Sequence, residues 1–149
     1  MIERWTPHAT VATLVEHQGR FLMVEEISGG EAVLNQPAGH VEAGETLLEA
    51  ACRETLEETG WEVKPTAVLG LYTYTSPTNG VTYHRYCFIA DAITAVEGAE
   101  LDRGIIGPRW MTIEELRASS RLRSPMVLTC VEDYLAGKLF SLDVIVEHP

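Results

Sequence analysis

The chain has 149 residues, of which 46% are hydrophobic, and its formal net charge at pH 7 is −11. This length and apolar content predict one compact domain over residues 1–149 with a substantial core. No apolar run approaches the ~20 residues of a membrane span, and the negative charge disfavours a nucleic-acid polymer as partner. The N-terminal segment lacks the apolar region of a signal peptide. Three widely spaced cysteines, Cys52, Cys87 and Cys130, form neither a metal motif nor an even disulfide set, which favours a reducing cytoplasm.

Three strands are predicted in the first part of the chain, followed by a long helix. The strands are Ala9–Glu16, Phe21–Val24 and Ala32–Leu34. Thr46 can cap the helix with Glu49 completing a capping box, and Gly60 stands where a left-handed residue would close it. Successive residues of a helix are rotated by about 100°, which places six of its residues on one face that we expect to pack in the core. Its members are Leu48, Ala51, Cys52, Thr55, Leu56 and Thr59.

Further strands and two helices are predicted after this central helix. In chain order they are the strands Val68–Thr75, Thr82–Ile93 and Arg109–Met111, a helix from 112 to about 118, and a helix from 125 that Gly137 ends. The Asn79-Gly80 pair predicts the turn between the two long strands, and residues 95–108 are expected to be irregular. Strands on both sides of a central helix, with helices late in the chain, predict an α+β fold. In it, a mixed β-sheet is sandwiched between helices.

The central helix carries three carboxylates on one face. Glu54, Glu57 and Glu58 fall within an arc of about 100°, where each close like-charged pair costs roughly 0.2–0.5 kcal/mol. A solvated acidic face is one interpretation. Divalent cations would offset the repulsion, however, and carboxylate oxygens suit Mg²⁺ or Mn²⁺. No His or Cys shares that face, which argues against a dedicated zinc site.

The segment Gly39–Trp61 has a specific pattern of charged residues and glycines. Gly39 is followed after five residues by Glu45, and after seven more by Arg-Glu-x-x-Glu-Glu-x-Gly-Trp. This pattern resembles the Nudix box, the signature of hydrolases that cleave diphosphates linked to another group. All seven charged or Gly positions match over these 23 of 149 residues, and the two apolar slots hold Thr55 and Trp61. The order of predicted strands and helices also resembles the Nudix fold.

The resemblance implies a metal site with Mg²⁺ as cofactor and Mn²⁺ as an alternative. The implied ligands are the side chains of Glu54, Glu57 and Glu58 and the backbone carbonyl of Ala38. The implied catalytic residues are Glu54, Glu57 and Arg53. The residues themselves also allow Arg53 to pair with Glu49 one helical turn away, and Glu45 is expected to fix the loop.

The general base is left open between the box glutamates, Glu54 or Glu57, and an acid from the loop before Trp110. That loop offers Glu100 and Asp102. Its last positions before Arg109 are apolar or Gly, where Nudix relatives often carry an acid, so neither loop residue is preferred.

Candidate substrate-binding residues are the few cations and amides that flank the box in the predicted fold. They are Arg85, Asn35, Gln36 and Arg123, with Arg121 and His40 as further candidates. Arg85 is either a half-exposed strand residue or a phosphate ligand. Arg121 and Arg123 precede a helix N-terminus, a combination that favours anions, although ordinary surface charge explains them as well.

The predicted partner is a small phosphorylated molecule, bound by a monomer or homodimer that contacts neither nucleic-acid polymer nor membrane. The sequence segments at residues 34–42 and 122–125 resemble those of a group of bacterial phosphatases within the family. That resemblance implies low selectivity for nucleoside tri- and diphosphates, hydroxymethylpyrimidine diphosphate and thiamine diphosphate, with release of orthophosphate. The alternatives are cleavage of ADP-ribose or another dinucleotide, and a non-catalytic module that senses a nucleotide.

Overall fold

The computed structural model describes residues 3–148 of the chain. Its strands are β1 His8–His17, β2 Arg20–Ser28, β3 Glu31–Asn35, β4 Ala38–His40, β5 Trp61–Thr75, β6 Thr82–Ala95 and β7 Ile105–Met111. Its helices are α1 Leu47–Thr59, α2 Ile113–Ala118 and α3 Pro125–Leu135, with a 3₁₀ turn at Leu142–Val144. Among these described residues, no helix is long and apolar enough to cross a membrane.

The strands form one mixed sheet in the order β3-β2-β1-β6-β5, with β4 also paired to β1 and β7 to β2. Strands β1 and β6 run parallel, with Ala12 opposite Cys87, and β5 and β6 form a long antiparallel hairpin. Parallel neighbours need a crossover connection, since a tight turn cannot join them. Helix α1 lies in that crossover and is thereby held against the sheet.

The two faces of the sheet bury different helices because successive side chains point to opposite sides. On one face, Val11, Val68 and Phe88 pack with Ala50 and Ala51 of α1. On the other face the cluster contains strand residues together with three residues of α3, Val127, Cys130 and Val131. The predicted α+β fold, with a mixed sheet between helices, is confirmed.

The predicted helix boundaries agree closely with the structure because local capping chemistry sets them. Thr46 accepts from the Glu49 N–H while Glu49 accepts from the Thr46 N–H, and Gly60 closes α1 with φ of 73°. The same reciprocal capping box is present between Thr112 and Glu115 at the start of α2. Ser124 caps α3 and Pro occupies its first turn.

The sheet is larger than the sequence pattern predicted. Strand β5 begins at Trp61 and not at Val68, and β7 begins at Ile105 within the stretch expected to be irregular. Strand β4 was not predicted. The start of β5 is stabilised by pairing with β6, β7 by pairing with β2, and β4 by pairing with β1. Such pairing is a tertiary effect that the local alternation of apolar residues does not reveal.

The buried face of α1 differs in part from the prediction. Its buried residues are Ala50, Ala51, Thr55, Glu58 and Thr59, whereas Leu48, Cys52 and Leu56 are only partly buried. Thr55, in an apolar slot of the box, shares a hydrogen bond of 2.9 Å with the Thr13 hydroxyl and donates to the Ala51 carbonyl at 2.7 Å. These bonds satisfy a buried hydroxyl and tie α1 to β1.

Candidate active site

Arg53 lies at the centre of the carboxylates of α1. Its guanidinium donates to Glu45 at 2.7 Å, to Glu54 at 2.8 Å and to Glu57 at 3.2 Å. It also donates to the backbone carbonyl of His40 at 3.0 Å. The hydrogen bond to Glu45 is the largest cause raising the pKa of Arg53 above its usual value. Arg53 therefore joins the loop before α1 to the helix carboxylates and fixes their orientation.

The predicted pair between Arg53 and Glu49 is wrong. The Glu49 carboxylate accepts from the Thr46 N–H at 2.9 Å, and the i,i+4 partner of Arg53 is Glu57. Glu49 takes part in the N-terminal cap because the first N–H groups of a helix lack acceptors within the helix. Glu45 also accepts from the Glu42 N–H at 2.7 Å, so it braces the loop as well as Arg53.

Three carboxylates converge where α1 meets the β6–β7 loop. One carboxylate oxygen each from Glu54, Glu57 and Asp102 lies within 4.8 Å of the other two. The Asp102 backbone N–H donates to the Glu57 carbonyl at 2.9 Å, which anchors the loop to the helix. Burial raises the pKa of Glu54, and burial followed by the Asp102 charge raises that of Glu57. Hard oxygen donors this close repel one another and fit a divalent cation.

This cluster contains two of the four predicted metal ligands. Sequence reasoning treated Asp102 and Glu100 as equals in the loop, whereas the structure brings Asp102 to the glutamates and leaves Glu100 exposed. The sequence signal for Asp102 was an acid in that loop, and only the fold separates it from its neighbour.

Glu58 faces the sheet and approaches Ala38 instead of that cluster. It is 9% exposed, and its Oε1 accepts from the Ala38 N–H at 2.8 Å. Burial is the largest cause raising the pKa of Glu58 to about 8, although the bond from Ala38 opposes the shift. The two remaining predicted ligand positions, Glu58 and Ala38, are therefore direct neighbours.

Gly39 of β4 lies directly against the Glu54 side chain of α1. A Cβ atom built on Gly39 would overlap the carboxylate of Glu54. The absent side chain leaves the space that the Glu54 carboxylate occupies. This explains in physical terms why the box begins with glycine.

A cavity of about 570 Å³ opens beside these carboxylates. Glu54 and Glu58 line it on one side, and β4, the β5–β6 hairpin and the start of α3 supply other walls. Arg85 of β6 also lines it, so the cavity has carboxylates and a cation on different elements. Such an arrangement suits a ligand that binds both metal ions and guanidinium groups, as phosphates do.

Arg85 is buried, and within residues 3–148 no carboxylate lies within salt-bridge distance of it. It is 7% exposed, its Nη1 donates to Gln36 Oε1 at 3.2 Å, and its Nε has no hydrogen-bond partner in the described part of the chain. Burial lowers the pKa of Arg85 from its ordinary value. The half-exposed alternative is wrong, because the strand places the guanidinium inward. A buried guanidinium with a spare donor is expected to bind an anion.

The two predicted amide residues occupy different places. Gln36 is 1% exposed, and its Nε2 donates to Cys87 Sγ at 3.7 Å while its Oε1 accepts from Arg85. It is absent from the cavity wall formed by the described residues, and its contacts support a role in positioning Arg85. Asn35 does line the cavity, and its Oδ1 accepts from the Gln36 N–H at 2.9 Å.

The two arginines before α3 bind glutamates of β2. Arg121 pairs with Glu25 at 2.7 Å and Arg123 with Glu26 at 2.6 Å. Only Arg123 reaches the cavity wall, together with His40 from β4. Sequence reasoning missed these partners because Glu25 and Glu26 lie about a hundred residues earlier in the chain. Arg123 remains a candidate phosphate contact whose charge is already partly compensated.

The buried carboxylates predict an unusual pH dependence of stability in the metal-free protein. A Glu58 pKa near 8 in the folded state, above its unfolded value of 4.5, means that the folded state binds more protons between those values. The free energy of unfolding should therefore fall as pH rises from about 5 to about 8. Urea unfolding in EDTA buffers checks this.

The control for that prediction is Glu58→Gln, unfolded in the same buffers. Both proteins contain the same other titrating groups, so the effects of those groups cancel in the difference between the two free energies of unfolding. As pH rises, the free energy of unfolding of Glu58→Gln should increase relative to that of the unmodified protein. A pH-independent difference would contradict the buried, protonated state of Glu58.

Comparisons with known proteins identify the family. The model of the NUDIX domain matches residues 5–128. Phosphatase NudJ of Escherichia coli (strain K12) is 39% identical over 139 residues, which cover 93% of this chain and 90% of that protein. A NUDIX hydrolase from Nitrosomonas europaea superposes with a TM-score of 0.94 at 41% identity, covering 96% of this chain and 98% of that one.

More distant solved structures share the fold alone. An ADP-ribose pyrophosphatase from Streptococcus suis superposes with a TM-score of 0.66 at 13% identity, over 87% of this chain and 92% of that one. The chain belongs to the Nudix family and is a hydrolase of phosphoanhydride bonds in small phosphorylated substrates. Within that family it is similar to phosphatase NudJ over most of both chains.

Proposed function

We propose that residues 1–149 act as one Mg²⁺-dependent phosphohydrolase domain of low selectivity that removes terminal phosphate. Its proposed substrates are nucleoside tri- and diphosphates, hydroxymethylpyrimidine diphosphate and thiamine diphosphate. The observation that carries the proposal is the buried Arg85, which lines the same cavity as Glu54 and Glu58 and whose Nε has no hydrogen-bond partner among residues 3–148. The similarity to phosphatase NudJ supports it. Burial of Cys87 and Cys130 as thiols is compatible with a cytoplasmic setting, which we also propose.

The groups that would hold the metal are the carboxylates of Glu54, Glu57 and Asp102, together with the Glu58 carboxylate and the carbonyl of its neighbour Ala38. Bound Mg²⁺ would neutralise phosphate charge and acidify a water molecule. Arg53 keeps Glu54 and Glu57 oriented through its hydrogen bonds. The proton of the attacking water would pass to one carboxylate of the Glu54, Glu57 and Asp102 group, acting as the general base. Within the loop, Asp102 replaces Glu100 as the candidate base because it reaches the helix.

The substrate's phosphate chain would lie between the carboxylates and Arg85. Water oxygen forms a bond to the terminal phosphorus, and the bond from that phosphorus to the bridging oxygen breaks. The leaving group departs as the shortened phosphate ester, and orthophosphate is the second product. A terminal phosphate carries more charge than a phosphate esterified on both sides, which favours a site with a buried guanidinium.

Phosphate release across a substrate panel tests the proposal. With Mg²⁺, ADP, UTP, hydroxymethylpyrimidine diphosphate and thiamine diphosphate should all yield orthophosphate, and ADP-ribose should be a poor substrate. EDTA should abolish the activity and Mg²⁺ or Mn²⁺ should restore it, while added metal raises the melting temperature by linkage. Efficient cleavage of ADP-ribose with the diphosphates untouched would overturn the substrate assignment. Recovery with Zn²⁺ alone would overturn the metal assignment.

Arg85→Ala should lower kcat/KM for nucleoside di- and triphosphates by about tenfold or more. A charge-assisted hydrogen bond contributes roughly 1.5–3 kcal/mol, and this variant removes the buried donor. Steady-state kinetics on ADP and UTP measure the effect. Arg117→Ala is the matched control, because Arg117 is exposed and pairs with Glu132 at the surface. Unchanged kinetics in Arg85→Ala would reduce Arg85 to a structural residue.

A further inference from the structure

Two tyrosines occupy opposite positions on the β5–β6 hairpin, beside Arg85. Tyr74 of β5 is the direct cross-strand partner of Tyr83 of β6. Tyr83 is two residues from Arg85 along β6, so both point to the same side of the sheet, with about 7 Å between their Cα atoms. All three residues line the cavity. The hairpin turn adds the small polar groups of Ser76 and Thr78 to the same wall.

The Tyr83 ring is held in place by its neighbours. It packs edge-to-face against His8 at 5.9 Å and His40 at 6.3 Å between ring centroids. Its hydroxyl accepts from Asn79 Nδ2 at 3.1 Å, and Asn79 Oδ1 in turn accepts from the Val81 N–H at 2.9 Å. A cavity-lining aromatic side chain with a fixed orientation is preorganised for contact with a ligand.

Tyr74 differs from Tyr83 in being free of such partners. Among residues 3–148 its side chain makes no hydrogen bond to protein and no aromatic pair, including with Tyr83 opposite. It is partly buried at the cavity wall. One tyrosine is therefore fixed, while the other lines the cavity without a polar or aromatic partner among the described residues, and such a pair is suited to contact a flat group.

We infer that Tyr74 and Tyr83 bind the planar nitrogen heterocycle of the substrate while its phosphate chain extends to Arg85. This inference rests on the proposed function and adds to it a ring subsite. Stacking on an aromatic side chain tolerates any base, because every base has a π-face. The hydroxyls of Ser76 and Thr78 both donate and accept hydrogen bonds, so they do not select one base edge. The subsite therefore favours substrates that carry a ring without distinguishing purine, pyrimidine or thiazolium rings.

The competing explanation is that the tyrosine pair only stabilises the hairpin, as cross-strand aromatic residues do. That role would affect every substrate equally and would be visible in the melting temperature. A ring subsite affects only substrates that carry a ring. The two explanations therefore differ in a measurable way.

The test compares Tyr74→Leu and Tyr83→Leu with Tyr74→Phe and Tyr83→Phe on ADP and on inorganic triphosphate, which has no ring. We expect the Leu variants to raise KM for ADP about tenfold or more, with kcat changed less and the kinetics on inorganic triphosphate unchanged. Tyr74→Phe keeps the ring and should raise KM for ADP much less than Tyr74→Leu. Tyr83→Phe keeps the ring but loses the hydrogen bond from Asn79, so its KM for ADP should lie between those of the unmodified enzyme and Tyr83→Leu. Melting temperatures of all four variants report on folding.

Equal losses on ADP and inorganic triphosphate, or no loss on either, would overturn the ring subsite. Calorimetric binding of AMP gives a readout that does not depend on turnover, and the Leu variants should weaken it by a similar factor. Release of no phosphate from either compound by the unmodified enzyme would instead count against the proposed function, and AMP binding would still test the subsite. Unchanged AMP affinity in the Leu variants would contradict it.

Discussion

Replacement of Glu58 by Gln is expected to lower kcat by more than about a hundredfold. Contacts that merely support a metal ligand are worth about 10- to 100-fold, and this change removes a carboxylate that we propose as a ligand itself. The Gln side chain keeps an oxygen that can accept the Ala38 N–H, so the local fold should persist. Steady-state phosphate release with saturating Mg²⁺ measures the loss, and circular dichroism checks the fold. Glu57→Gln should lower kcat for the same reason.

The matched control is Glu62→Gln, which neutralises an exposed glutamate on β5 outside the cavity. It should leave kcat unchanged. Stability of Glu58→Gln in metal-free buffer at pH 8 should be equal to or above that of the unmodified protein, because a buried carboxylate is removed. Near-normal turnover in folded Glu57→Gln and Glu58→Gln would contradict the proposed metal site.

Gly39→Ala is expected to reduce kcat by about as much as loss of a metal ligand, while the fold persists. Its Cβ would occupy the position of the Glu54 carboxylate. The carboxylate is the end of a flexible side chain, so it can move aside at small cost in stability but leaves its position beside Arg53. A shift of about 1 Å in a catalytic group can cost about a hundredfold in rate. Paired kinetics and thermal unfolding separate the two effects.

Gly44→Ala is the complementary control in the same loop. Gly44 has φ of +85°, and a Cβ there meets nothing within 4 Å. The left-handed backbone should cost about 1–2 kcal/mol of stability for alanine, with much less effect on kcat than Gly39→Ala. If Gly39→Ala retained full activity, the approach of β4 to Glu54 would have no catalytic consequence.

Local chemistry explains which parts of the structure the sequence predicted well. The ends of α1 depend on Thr46, Glu49 and Gly60, all within or beside the helix, and the structure has the predicted caps. Strand β5 extends seven residues further towards α1 than the pattern indicated, because its first half is stabilised by pairing with the end of β6. Hydrogen bonding between strands distant in sequence is not encoded in local alternation.

In the candidate site, too, the sequence predicted the features set by local geometry and missed those set by tertiary packing. The box spacing identified Glu54, Glu57 and Glu58 together, since three glutamates on one helix share a face whatever the tertiary fold. It did not distinguish the buried Glu58 from its neighbours, and it did not place Asp102 against Glu57, because both depend on how other elements pack around α1.

The cavity wall formed by Arg85, Tyr74 and Tyr83 is the part of the site that is hardest to predict from the sequence. The burial of Arg85 results from its place on β6 between β1 and β5. Tyr74 and Tyr83 join it because an antiparallel hairpin places them opposite each other nine residues apart in sequence. No single motif contains these three residues, so only the assembled sheet reveals that they share one wall.

Phosphorus-31 NMR of UTP incubated with the protein and Mg²⁺ tests the central claim most directly, because it shows which phosphoanhydride bond breaks. We expect orthophosphate and UDP to appear together, followed by UMP and further orthophosphate as UDP is consumed. EDTA should stop the reaction. Appearance of UMP with pyrophosphate, or persistence of unchanged UTP in the presence of Mg²⁺ or Mn²⁺, would contradict the account.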